Sequence, residues 1–182
     1  MSQKIVAFTG ISGVGKTTFL EKLAKKVSFQ HLTGGSLIAA ARQADADQRD
    51  AMRHADLDEN QQLLIDGFFV ACDPQVKLVI MDGHVVIDGG NNLTELPSTI
   101  FRALGISLMV HLEADSDWIL ANRSLDTSRS RPTYASETLD QHQSTSRNHA
   151  ASIACELGIG FHIVTHSDVD EFATMLSGWR HP

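Results

Sequence analysis

The chain has 182 residues and a mass of 19.9 kDa, with 15 Lys+Arg against 22 Asp+Glu, a formal net charge of −7 and a sequence pI near 5.6. A single domain of this size buries about two-thirds of its unfolded surface, so it needs no disulfide framework or structural metal. The acidic balance argues against a partner that is nucleic acid or a membrane surface, and no apolar run reaches the ~18 residues of a transmembrane helix.

Residues 1–4 lead straight into a strand pattern without the apolar core of a signal peptide. A cytoplasmic protein is therefore expected. Cys72 and Cys155 fit neither a metal-ligand nor a disulfide spacing. They read as small buried residues in a reducing compartment.

Strand-like runs alternate with amphipathic stretches, the pattern of an α/β fold with a parallel sheet. A first strand is predicted over residues 5–9 and a helix over 15–27, where Phe19, Leu20, Leu23, Ala24 and Val27 share one face. Residues 32–73 contain no strong strand. They read as a helical insertion, with a short Ala-rich helix up to Arg42, a polar patch and a second helix over 58–70.

A strand over 77–81 closes on Asp82-Gly83, and residues 88–92 read as a loop. Pro97 opens a helix that ends before Gly105, since proline suits a first helical turn. A strand over 106–112 follows. Asp115 then caps a helix reaching residue 125. After a polar segment over 123–134 comes a long helix over 136–157, with Leu139, Gln143, Ser146, Ala150, Ile153 and Leu157 on one face. A strand over 161–165 and a helix over 169–176 complete the chain.

Gly10-Ile11-Ser12-Gly13-Val14-Gly15-Lys16-Thr17 matches GxxxxGK[ST] and lies between a predicted strand and a predicted helix. In such a loop the glycines let backbone N–H groups turn toward phosphates. Lys16 reaches the β- and γ-phosphates, and the Thr17 hydroxyl holds Mg²⁺. With Thr18 beside it, the anion would sit on a helix N-terminus. The expected ligands are ATP and Mg²⁺.

Asp82, at the end of a buried strand, is placed to meet the Mg²⁺ shell. His84, two residues on, could orient a phosphate or Asp82, or be a satisfied structural histidine. Arg123, Arg129 and Arg131 cluster in a Ser-rich segment, where cations on a loop can neutralise a transferring phosphoryl group. Gly35, Ser36, Arg42 and Arg53 lie on the insertion, and arginine binds phosphate in bidentate fashion.

No Asn/Thr-Lys-x-Asp guanine motif is present. The layout is that of a kinase with a small substrate. It predicts a three-layer, doubly wound P-loop domain over residues 1–182, with an acceptor-binding insertion over about 32–73 and an Arg-bearing lid over about 123–134.

The chain also resembles the archaeal-type adenylate kinases among the nucleoside monophosphate kinases. The likeness rests on Asp82-Gly83-His84, Glu95-Leu96-Pro97, Glu113-Ala114-Asp115 and the Arg123–Arg131 segment. It continues through His142-Gln143 with Arg147 and Ala150-Ala151, and in the insertion through Gly35-Ser36 and Asp50-Ala51-Met52-Arg53. Gly83 stands where that family has Thr, and Asn91-Asn92-Leu93-Thr94-Glu95 replaces its glycine-rich loop, which marks a diverged member.

The resemblance implies transfer of the γ-phosphoryl group of Mg·ATP to a nucleoside monophosphate, AMP first. Arg53 would be a phosphate ligand in the acceptor site, and Arg147 would join the phosphate shell. It is also compatible with homo-oligomers. Two alternatives remain open: a kinase of another nucleotide or small metabolite, and an ATPase or nucleotide-dependent partner switch.

Overall fold

The structure is a computed structural model that describes residues 3–41, 57–90, 92–125 and 132–179. Five strands form one parallel sheet in the order β2-β3-β1-β6-β7: β1 Lys4–Thr9, β2 Gln30–Thr33, β3 Leu78–Asp82, β6 Leu108–Leu112 and β7 Gly160–Val164. β4 Val86–Asp88 and β5 Leu93–Glu95 make a separate antiparallel hairpin. The helices are α1 Lys16–Ala24, α2 Gly34–Ala41, α3 Leu57–Ala71, α4 Ser98–Ala103, α5 Ser116–Leu125, α6 Ser136–Leu157 and α7 Val169–Trp179.

Alternation along the central strands builds two apolar layers, because successive side chains of a strand point to opposite faces. Val6, Phe8, Ile80 and Val110 join Phe19, Leu20 and Leu23 of α1, Ile119 of α5 and Phe172 of α7 in one core. Ala7, Val79, Met81 and Met109 join Leu37 of α2, Phe68 of α3, Phe101 of α4 and Ile153 of α6 in the other. Each fully buried Leu or Phe contributes about 1.5–3 kcal/mol of apolar transfer. The result is the three-layer α/β/α sandwich expected from the alternating pattern.

Three local features differ from the sequence-based expectation. β2 is a strand where none is predicted between residues 32 and 73. Of its four residues only Leu32 is buried, because it lies at the sheet edge and needs little apolar surface. The loop predicted at 88–92 lies at the turn of the β4–β5 hairpin, whose strands are only three residues each and too short to show alternation. The cysteines are not buried as predicted. Cys72 is half-buried and Cys155, on the outer face of α6, is exposed; both are free thiols. Among the described residues, no helix is long and apolar enough to cross a membrane.

Candidate nucleotide and phosphoryl-transfer site

The site lies at the carboxyl ends of the parallel strands, where open α/β sheets gather their ligands. β1 ends at Thr9, the loop 10–15 follows, and α1 begins at Lys16 with Gly15 as its N-cap. Gly13 and Gly15 have φ of 88° and 86°, in the left-handed region that glycine alone enters cheaply. Space forbids a side chain there too. A Cβ on Gly13 would stand 2.7 Å from Arg123 Cγ, and one on Gly15 would stand 2.6 Å from Trp118 Cη2. At Gly13 and Gly15 the loop therefore presents backbone alone. α1 has no side-chain cap and no acidic residue in its first turn, so its positive end is suited to an anion. Thr17 and Thr18 are exposed at that end.

Lys16 is 9% exposed. Its Nζ donates to the Gly10 carbonyl at 3.0 Å and stands 3.8 Å from Asp82 Oδ1. Asp82 reaches that position because β3 pairs in register with β1, Phe8 opposite Asp82. His31 of β2 brings Nε2 to 3.7 Å from Asp82 Oδ2. Burial pushes the Asp82 carboxyl up, but the neighbouring His31 imidazole and the charges of Lys16 and His84 outweigh it and hold it below its ordinary value. The carboxylate is thus ionised at neutral pH, as a metal ligand must be. His84 Nδ1 donates to the Gly10 carbonyl at 2.9 Å. It therefore braces the start of the phosphate loop as well as standing close to Asp82.

The structure brings some predicted arginines to this site and leaves others outside the described residues. Arg123 belongs to the last turn of α5, and its Nε donates to the Ser12 carbonyl at 2.9 Å. Arg147 of α6 pairs with Glu113 Oε1 at 3.0 Å. Arg129 and Arg131 lie outside the described residues, as do Arg42 and Arg53 of the predicted insertion. Gly35 and Ser36 open α2, where Thr33 Oγ1 accepts from the Ser36 backbone N–H at 3.1 Å. Among the described residues, a Cβ on Gly35 would meet nothing within 4 Å.

Sequence reasoning missed several residues. Thr9 Oγ1 donates to the Val110 carbonyl and lies 2.9 Å from His111 Nδ1, so Nδ1 carries the proton and Nε2 keeps a lone pair. Among the described residues, Nε2 is buried without a partner. Burial first, then the nearby positive charges of Lys16 and Arg147, push the His111 imidazole down to about 4. His111 sits in an apolar run and its partner lies on another strand, so sequence gave no signal beyond a histidine within a strand. His31, Asn122, Trp118 and His166 also line the site. Only the fold brings them to it.

The residues present fit a nucleotide's polyphosphate with a divalent ion. They offer a glycine cradle that side chains would fill, an uncapped helix N-terminus, a buried ammonium and an ionised carboxylate beside it.

The AAA domain family matches residues 9–140 of the chain. Over 163 residues the chain is 29% identical to an adenylate kinase of Thermoplasma acidophilum, covering 88% of each. Over 148 residues it is 32% identical to an adenylate kinase of Sulfurisphaera tokodaii, covering 75% of this chain and 76% of that one. Its fold resembles a shikimate kinase from Bacteroides thetaiotaomicron, with a TM-score of 0.59 across 97% of both chains. At 13% identity that likeness speaks for the fold alone.

Proposed function

The chain belongs to the AAA domain family and to the family of the archaeal adenylate kinases, and on that premise we propose that it transfers the γ-phosphoryl group of Mg·ATP to AMP. Its kinase relatives make it an ATP-dependent phosphotransferase. The observation that carries the reading is the pairing of Lys16 with Asp82 at 3.8 Å beside a loop that only glycine can build.

The bound nucleotide supplies the phosphoryl group. The chain supplies position and charge. Backbone N–H groups of the loop and the start of α1 would take the phosphate oxygens, from Gly10, Ser12, Gly13 and Gly15 to Thr18, while the Val14 N–H turns back to the Ile11 carbonyl and shapes the loop. Lys16 would offset charge on the transferring group, and Thr17 and Asp82 would hold a Mg²⁺ ion, which would neutralise phosphate charge when bound. Arg123, Arg129, Arg131 and Arg147 supply further cations. Gly35, Ser36, Arg42 and Arg53 would form the acceptor side, with His84, bonded to the Gly10 carbonyl, as a further substrate-binding candidate. No general base is required, because phosphoryl transfer gains most from alignment and charge stabilisation.

The test is a screen of ATP consumption with AMP, CMP, GMP, UMP and small alcohols as acceptors. AMP should accelerate consumption most. Acceleration by an alcohol alone would replace this reading with a metabolite kinase. Consumption indifferent to every acceptor would replace it with an ATPase or nucleotide-dependent switch.

A further inference from the structure

We propose that His166, backed by Trp118 and assisted by Asn122, is a positioning residue of the phosphate loop: it holds the Val14 carbonyl outward so that the Gly15 N–H faces the phosphates, while Asn122 steadies the turn before it. The proposal rests on the reading of residues 10–17 as a polyphosphate site.

Three successive carbonyls of the loop are each held by a side chain from outside. Ser12 accepts from Arg123 Nε at 2.9 Å, Gly13 from Asn122 Nδ2 at 3.3 Å, and Val14 from His166 Nε2 at 2.8 Å. A carbonyl can only accept, so His166 Nε2 carries a proton whichever charge state the ring is in. In a trans peptide the C=O and the next N–H point in opposite directions, and the described chain has no cis peptide. Turning the Val14 carbonyl toward His166 therefore turns the Gly15 N–H away from it. The Ser12 carbonyl does the same for the Gly13 N–H, whereas the Val14 N–H, which follows the Gly13 carbonyl, donates to the Ile11 carbonyl at 3.3 Å and closes the turn that Asn122 steadies. Gly13 and Gly15 are the two positions whose left-handed φ makes such an arrangement affordable.

His166 is itself fixed. It sits in the tight turn before α7, where Asp168 Oδ2 accepts from the Thr165 backbone N–H at 2.7 Å and from its hydroxyl at 2.8 Å. Those hydrogen bonds hold the Asp168 carboxyl below its ordinary value. The Trp118 ring lies 4.5 Å from the His166 ring between centroids, and Phe19 meets the other ring edge at 6.3 Å. Both rings press on the loop, since a Cβ on Gly15 would stand 2.6 Å from Trp118 and 2.7 Å from His166. The imidazole has little freedom to leave the Val14 carbonyl. The loop's orientation is thereby set before any ligand arrives, which lowers the ordering cost of binding.

The experiment is titration calorimetry with Mg·tripolyphosphate, which has phosphates and no base, alongside Mg·ATP. His166→Phe keeps an aromatic ring against Trp118 and loses the donor. It should weaken both ligands by the same factor, about threefold to tenfold, the worth of one neutral hydrogen bond. His166→Gln restores an N–H at similar reach and should recover most of that loss. Asn122→Ala, which removes the longer bond, should weaken both ligands less.

Unchanged tripolyphosphate affinity in a folded His166→Phe protein would overturn the proposal. A loss confined to ATP would overturn it too, since the rings would then act on the nucleoside. Should His166→Phe melt below the wild type, the His166→Gln and Asn122→Ala pair decides on the same equality of factors. Wild-type protein that binds neither ligand would overturn the polyphosphate reading itself, and the proposal with it.

Discussion

Around residues 10–15, side chains from α1, α5, the β3–β4 connection and the β7–α7 turn converge on backbone carbonyls. Across the sheet edge, α2 and α3 meet through Leu37, Leu64 and Phe68, so closely that a Cβ on Gly67 would stand 2.6 Å from the Leu37 carbonyl. Neither α2 nor α3 carries a Lys or Arg among its residues. Under the proposed function both regions would bind phosphate, with different means. One builds its donors from backbone, held by a rigid surround. The other is an apolar helix pair whose candidate cations, Arg42 and Arg53, lie on the connecting segment outside the described residues. A backbone site is tied to one ligand chemistry, whereas a site whose donors are side chains changes its acceptor by substitution.

The largest expected effect breaks the nucleotide side. Lys16→Ala should cut phosphoryl transfer by a hundredfold or more, about 2.7–4 kcal/mol of lost charge stabilisation, while a thermal melt shows a folded protein. Turnover near wild type in a folded variant would end the phosphate-loop assignment.

Asp82→Asn keeps the shape and removes the charge. Transfer should fall by about tenfold or more, and half-maximal Mg²⁺ should move to higher concentration, since the metal loses an anionic ligand. A Mg²⁺ titration that stays in place would make Asp82 a turn residue and an ion-pair partner of Lys16 only.

Gly67→Ala sharpens the contrast from the other side. The added methyl must push the Leu37 backbone, and overpacking of this kind costs about 1–3 kcal/mol. We expect a lower denaturation midpoint and a raised KM for the acceptor, with tripolyphosphate affinity kept. Loss of tripolyphosphate binding in step would mean that the two regions are mechanically one.

His111 leaves phosphoryl transfer at neutral pH least affected and gives a pH dependence whose sign can be checked. Its folded value, about 4, is below the ordinary 6.5, so between those values the unfolded chain holds the extra proton. Its contribution is fully present above pH about 6.5 and is lost as pH falls through about 4, with a slope of at most about 1.4 kcal/mol per pH unit. Asp82, also depressed, adds a loss at lower pH, so the comparison must be between variants. His111→Leu should flatten the slope of stability between those two pH values. An equal slope in both proteins would assign the loss to other groups.

Much of the frame was legible because it repeats a period. The 3.6-residue pattern marked residues 136–157, and α6 spans Ser136–Leu157. The glycine spacing marked the phosphate loop because only glycine adopts those dihedrals at Gly13 and Gly15. What escaped had no period to read. Gln30, His31 and Thr33 make a polar edge strand, and β4 and β5 are too short to alternate. Arg123 was read as part of a lid. Its neighbour Ser12 is more than a hundred residues away in sequence, and only the parallel packing of β6 beside β1 brings α5 over the loop. His166 and Val14, and His111 and Thr9, are brought together by the same sheet order.

The most direct measurement follows the phosphoryl group itself, with ATP labelled in its γ-position and AMP as acceptor, in wild-type and Lys16→Ala protein. We expect the label to appear in the ADP made from AMP, at a rate that AMP saturates and that the Lys16 variant loses. Label recovered as inorganic phosphate at the same rate with and without AMP would contradict the account.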